Sequence, residues 1–185
     1  MSKVLTFSRT FPAYHTKAGQ PTNFVFKIWN SIGCDNPMLL PYATEYFKFD
    51  GWNQNNHELL AQMQPKHHTI RAGNRFKVGD KFSPRVWSGK PYQSKQIIIA
   101  PDIEVKKVWD FKIQFDADYL CISIDNWPFY EENSTMVTQP EALETLALND
   151  GLTVEDMKAW FGIHPKKKGK NFNGQIICWN ENIEY

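Results

Sequence analysis

The chain has 185 residues, 42% of them hydrophobic and 22% charged, and a formal net charge of +1, enough for one domain over 1–185 with its own core. A charge so nearly balanced creates no global field that would draw the protein onto nucleic acid or an acidic membrane, so any nucleic-acid contact must be local. Cys34, Cys121 and Cys178 are an odd number without a C-x-x-C pair, which argues against a disulfide framework or a zinc site and for a reducing compartment.

The first residues carry one Lys and turn polar at Thr6 and Ser8, unlike a signal peptide, and no stretch has the apolar length of a membrane span. The expected location is therefore cytoplasmic, with no membrane partner. Lys3 to Phe7 reads as an opening strand. A loop from Phe11 to Gln20 follows, then a helix from about Asn23 to Ser31 with Thr22 as N-cap and Gly33 as its stop. Residues from Cys34 to Asn56, with Pro37, Pro41 and aromatics at Tyr42, Tyr46, Phe47, Phe49 and Trp52, are expected to be irregular. Glu58 to Met63 adds one or two helical turns, so an insertion of about 34–63 precedes the next motif.

That motif is Lys66-His67-His68-Thr69-Ile70-Arg71. Thr69 to Arg71 reads as a short strand whose period of two turns Thr69 and Arg71 to one face and Ile70 to the other. A desolvated Lys, or one beside another cation, gives up its proton more readily and can act as a base towards a neighbouring hydroxyl. Six such residues alone are more often an ordinary basic strand edge.

Phe76 to Phe82 alternates about Gly79-Asp80, a hairpin signal. Trp87 to Tyr92 forms a second turn and Gln96 to Ala100 a short buried strand. Trp109, Phe111, Ile113 and Phe115 alternate with polar residues, and Leu120, Ile122 and Ile124 repeat the pattern. Short strands with Gly and Pro turns predict a small curled sheet or barrel with flanking helices, an α+β fold. Thr138-Gln139-Pro140-Glu141 has the form of a capping box for a helix ending at Asn149-Asp150-Gly151, and Thr153 caps another, giving a helix pair over about 139–161. The second helix opens with Glu155 and Asp156, which disfavours a DNA-reading role and leaves sequence-specific DNA out of the expected partners. Lys166 to Lys170 reads as a solvated basic loop, and Gln175 to Trp179 as a closing strand.

Lys66, Thr69, Ile70 and Arg71 as K-x-x-T-I-R, Val78-Gly79-Asp80, and Asp150-Gly151-Leu152-Thr153 leading to Met157-Lys158 occur in an order that resembles the ASCH family. The opening Leu5-Thr6-Phe7 and the closing strand near Ile176 and Ile177 fit the same order, and together these motifs span about half of the chain. The resemblance implies a PUA-like fold, a small curled β-barrel of mixed sheet with flanking helices. Within that family it is closest to the small bacterial amidohydrolases that remove the acetyl group from cytidine acetylated on its exocyclic amine. It carries their proposed catalytic trio onto Lys66, Thr69 and Asp150, with no cofactor and no metal. Thr69 would be the nucleophile or would position a water, Lys66 its base, and Asp150 the group that orients Lys66 or holds the substrate amine. Arg71 would face the substrate carbonyl or its developing oxyanion.

Two departures imply a reshaped pocket and a different substrate. Asp150 stands where those enzymes carry a Glu, and both the 34–63 insertion and the Trp87–Tyr92 turn lack counterparts in the smallest members. A second expectation is a non-catalytic domain of the same family that binds RNA, a nucleoside or a nucleotide through Arg71, Arg75 and Lys90, with Trp87 and Tyr92 stacking on bases. A third, metal-dependent hydrolysis through His15, His67 and His68, ranks last because neighbours on a strand face opposite ways.

Overall fold

In the computed structural model the described residues are 2–50, 62–116, 119–133, 135–163 and 170–185. They form an α+β fold of one mixed sheet, one antiparallel sheet and helices. Strand β1 (Lys3–Phe7) runs parallel to β3 (Lys81–Trp87), and β4 (Gln96–Ile98) and β5 (Ile103–Glu104) pair antiparallel with β3. The antiparallel sheet runs in the order β2 (His68–Ala72), β10 (Phe172–Cys178), β6 (Lys107–Asp116), β7 (Tyr119–Ile124), β8 (Trp127–Glu132), β9 (Val137–Thr138). The period of two is clearest in β6, where Trp109, Phe111 and Ile113 are buried while Asp110 and Gln114 face water. Strand β10 lies between β2 and β6, and four of its seven residues, Gln175 to Cys178, are buried.

The two sheets share one core, with Trp179, just after β10, making edge contacts to Phe7 of β1 and Phe82 of β3 at centroid distances of 6.4 and 5.7 Å. Burying a ring such as Phe82 contributes roughly 1.5 to 3 kcal/mol. Gly174 of β10 is required by proximity, because a Cβ there would lie 2.1 Å from the Arg71 carbonyl oxygen. Buried Gln175 ties down the chain leaving β2, accepting from the backbone N–H groups of Arg75 and Phe76 at 2.8 and 2.7 Å.

Several expectations need correction. Residues 37–50 are not irregular: a 3₁₀ turn (Pro37–Leu39), capped by the Asn36 side chain, leads into α2 (Leu40–Asp50). Pro41 sits in the first turn of α2, where its missing N–H costs nothing. Helix α2 packs Tyr46 and Phe47 against Phe26 and Trp29 of α1 (Phe24–Ser31), with ring centroids 5.6 to 6.3 Å apart. The N-cap of α1 is Asn23 in a left-handed conformation rather than Thr22, whose hydroxyl donates to the Ser8 carbonyl at 2.6 Å and accepts a long hydrogen bond from the Phe24 N–H at 3.4 Å. Gly79-Asp80 is a turn but not a hairpin, since residues 76–80 lie outside the strands and β3 takes β1 as its parallel partner. Thr138 belongs to β9, so Gln139 is the N-cap of α3 (Pro140–Asn149) and no side chain caps it.

The cap expected for α4 (Val154–Trp160) is present: the Thr153 side chain accepts from the Asp156 backbone N–H. Strand β8 had no counterpart in the sequence reading. It follows β7 through Asp125-Asn126, both at positive φ, a two-residue turn of the kind that closes twisted hairpins. The expected helix at Glu58–Met63 falls almost wholly outside the described residues, as do Trp52 and nearly all of the Lys166–Lys170 loop. Among the described residues, no helix is long and apolar enough to cross a membrane.

Candidate functional site

Lys66 enters β2 between two helices, its backbone N–H donating to Lys27 of α1 and that of His67 donating to Asn149 at the end of α3. Asp150 follows α3 directly. The two residues, far apart in the chain, meet in the interior: Lys66 is 1% exposed, Asp150 6%, and Lys66 Nζ donates to Asp150 Oδ1 at 2.5 Å. The amine donates also to the Asp150 carbonyl and lies 4.4 Å from the centroid of the Phe24 ring. Gly151, at φ +73°, lets both lysine stems reach this point, since a Cβ there would stand 3.2 Å from Lys27 Cδ and from Lys66 Cβ.

Burial dominates the electrostatics of the pair. It lowers the Lys66 amine to about 8, against the pull of the Asp150 carboxylate, and it raises Asp150 above the usual carboxylate range although Lys66 draws it down. An ammonium in this position sheds its proton near neutral pH, which a surface lysine does not do.

Two further cations adjoin the pair. Lys27, the one charged residue of α1, donates to the Gly151 carbonyl at 2.6 Å, and burial lowers its pKa. Arg71 donates from Nη2 to the Thr6 carbonyl at 2.7 Å, and its guanidinium lies 5.3 Å from the centroid of the Phe7 ring. Burial lowers its pKa too, opposed by the Asp150 carboxylate and the Tyr92 phenol. Thr69, 4% exposed, lies in register with Ile177 of β10 and shares the Arg71 face of the strand. The structure thus joins Lys66 to Asp150 directly and sets Thr69 three residues beyond, its hydroxyl hydrogen-bonded to neither.

Trp87 closes β3 and stacks at a tilt on Tyr92, centroids 5.4 Å apart. Tyr92 is 90% exposed and held at φ +63°, a conformation that bulky side chains rarely adopt. Its phenol is among the groups whose charge acts on the Arg71 guanidinium.

The sequence offered His68 only as a metal ligand, not as a neighbour of Asp150. The same strand period that puts Thr69 and Arg71 on one face sends His68 to the other, and its Nδ1 lies 3.7 Å from Asp150 Oδ1. The ring is fully buried, neither nitrogen has a hydrogen-bond partner, and burial together with Lys66 holds it neutral. Tyr185 covers it edge-on at 5.6 Å. The alternation in the sequence was the available signal for His68; Lys27 and Tyr185 carried none beyond their type. The three histidines do not meet: His15 lies 3.0 Å from the Asp156 carbonyl and His67 pairs with Asn180. Among the described residues, no three His, Cys, Asp or Glu side chains gather as metal ligands.

A separate cleft of about 680 Å³ between β8, β9 and the two C-terminal helices shares no residue with this cluster. Its charges are glutamates and one lysine, Lys158, already paired with Glu132 at 2.6 Å. Buried charges of opposite sign with displaced proton affinities are the stronger mark of chemistry, so the candidate site is placed at Lys66 and Asp150. No family model, curated protein or solved structure matches the chain.

Proposed function

We propose that the protein is a PUA-like domain of ASCH type that hydrolyses an amide on an acylated, cytidine-type nucleoside or a related modified base. The observation that carries this reading is the buried Lys66 amine, lowered to about 8 and held by Asp150, three residues from the Thr69 hydroxyl. In its neutral form Lys66 takes the Thr69 proton as Oγ1 attacks the acyl carbon, or takes a proton from a water that Thr69 positions. The resulting ammonium returns that proton to the departing amine. On the Thr69 route, water then cleaves the acyl ester with Lys66 again as base. Asp150 orients the amine through its carboxylate Oδ1 and its backbone carbonyl, while Arg71, Trp87 and Tyr92 hold the substrate. Hydrogen bonds of this kind tighten in the substrate complex, and the Thr69 hydroxyl needs such a shift to engage.

The exposed Tyr92 ring, tilted onto half-buried Trp87, also favours a second reading, a nucleotide- or RNA-binding domain without chemistry. One experiment separates the two. Acetylated cytidine is incubated with the protein and its conversion to cytidine and acetate is followed by mass, with Thr69→Ser, Thr69→Val and Lys66→Met alongside. Hydrolysis that survives in part in Thr69→Ser, and falls by about two to four orders of magnitude in Thr69→Val and Lys66→Met, supports the enzyme. Wild-type protein that binds nucleosides but deacylates none leaves the binding domain.

A further inference from the structure

Arg71 is set up for more than packing. Arg71 is half-buried, and a guanidinium drawn out of water normally meets a carboxylate, because an uncompensated charge is costly there. Here Nη2 donates to a backbone carbonyl, the ring of Phe7 lies near one face, and Nε is buried with no partner. Among the described residues Arg71 forms no ion pair. The surrounding charges deepen the deficit. Lys27, Lys66 and Arg71 are three cations interacting with Asp150, whose nearer carboxylate oxygen is already bonded to Lys66. Asp156 also acts on Lys27, but it is bound to Lys17 at 2.8 Å.

We infer that the site takes a ligand carrying an oxyanion, a carboxylate or phosphate, which pairs with Arg71 while an aromatic ring of the ligand stacks on Tyr92 and Trp87. The inference deepens the proposed hydrolase by naming its substrate class, an anionic acylated base rather than a neutral one. The oxyanion has two possible sources, a phosphate on the sugar or a carboxylate at the far end of the acyl group. Arg71 suits either, since its fork of donors matches both groups and its charge does not depend on pH.

The test uses ligands without a scissile amide, so it is independent of turnover: cytidine, cytidine 5′-monophosphate and succinate, titrated calorimetrically into wild type, Arg71→Gln and Arg71→Lys. Tighter binding of the monophosphate than of cytidine by about tenfold, lost in Arg71→Gln, identifies the phosphate source; a tenfold gain is about 1.4 kcal/mol. Succinate binding that depends on Arg71, with cytidine and its monophosphate equal, identifies the acyl carboxylate. Arg71→Lys keeps the charge and loses the fork, so it retains only part of the preference and serves if the Gln variant does not fold. Equal binding of charged and neutral ligands by wild type, or an oxyanion preference unchanged in both variants, overturns the inference. An Arg71-dependent preference in a protein that hydrolyses nothing leaves the oxyanion site standing and removes the hydrolase.

Discussion

Lys66 and Asp150 make a stability experiment that tests the base assignment without any substrate. At 2.5 Å and an effective dielectric near 20, the gross attraction of the two charges is about 6 to 7 kcal/mol. Desolvation nevertheless prevails, because the amine is lowered from 10.5 to about 8 on folding. Between those values the unfolded chain binds a proton that the folded chain has released, so stability rises with pH across this window. Below it, the displaced proton affinity costs the fold about 3 kcal/mol, most of which is recovered between pH 7 and pH 10. Other groups titrate there as well, Cys178 among them, its thiol pushed up to about 11 by burial. The measurement is therefore a difference. Urea unfolding followed by tryptophan fluorescence, on wild type and on Lys66→Met/Asp150→Asn, isolates the pair. The gap between the two proteins should move by about 2 to 3 kcal/mol in favour of wild type as pH rises from 7 to 10. A gap that stays level across that range means that Lys66 keeps an ordinary proton affinity when folded, and the argument for it as a base near neutral pH fails with it.

Asp150→Ala leaves the Lys66 ammonium buried without its partner and should cost about 3 to 5 kcal/mol at neutral pH, whereas Lys66→Met/Asp150→Leu should come within about 1 kcal/mol of wild type or exceed it; denaturant titration of the two proteins compares them. Gly151→Ala should lower stability by more than about 1 kcal/mol, from its left-handed backbone and from displacing both lysine stems, and a thermal melt reads this directly. Tyr92→Asn keeps a residue tolerant of φ +63°, so the melting temperature should hold while nucleoside affinity falls by about 1 to 3 kcal/mol of lost stacking. If affinity is unchanged in that variant, the exposed ring is not a binding surface.

Much of the scaffold was legible because it repeats a local rule. The alternation of β6 and β7, the opening strand, α1 and the Thr153 cap each follow from neighbours within a few residues. The reading faltered where a local signal had a stronger competitor. Thr138 looked like a cap, but pairing with Glu131 drew it into β9. The aromatics of 42–49 lacked a clear helical period, yet two of them, Tyr46 and Phe47, fold onto α1 as a helix because Phe26 and Trp29 wait there.

For the site, the sequence by itself determined which groups are present and how the strand presents them: Lys66 at the mouth of β2, Thr69 and Arg71 on one face, His68 on the other. It also placed Asp150 at a turn between helices. What it could not hold was the medium around these groups. The lowered Lys66 amine, the unpartnered Arg71 Nε and the His68 ring beside Asp150 all come from burial by segments remote in the chain, among them Phe24 and Tyr185. Spacing fixes the direction of a side chain, because the backbone repeats locally. Proton affinity depends on how much water and which charges lie within a few ångströms, and only the packing of the whole chain decides that.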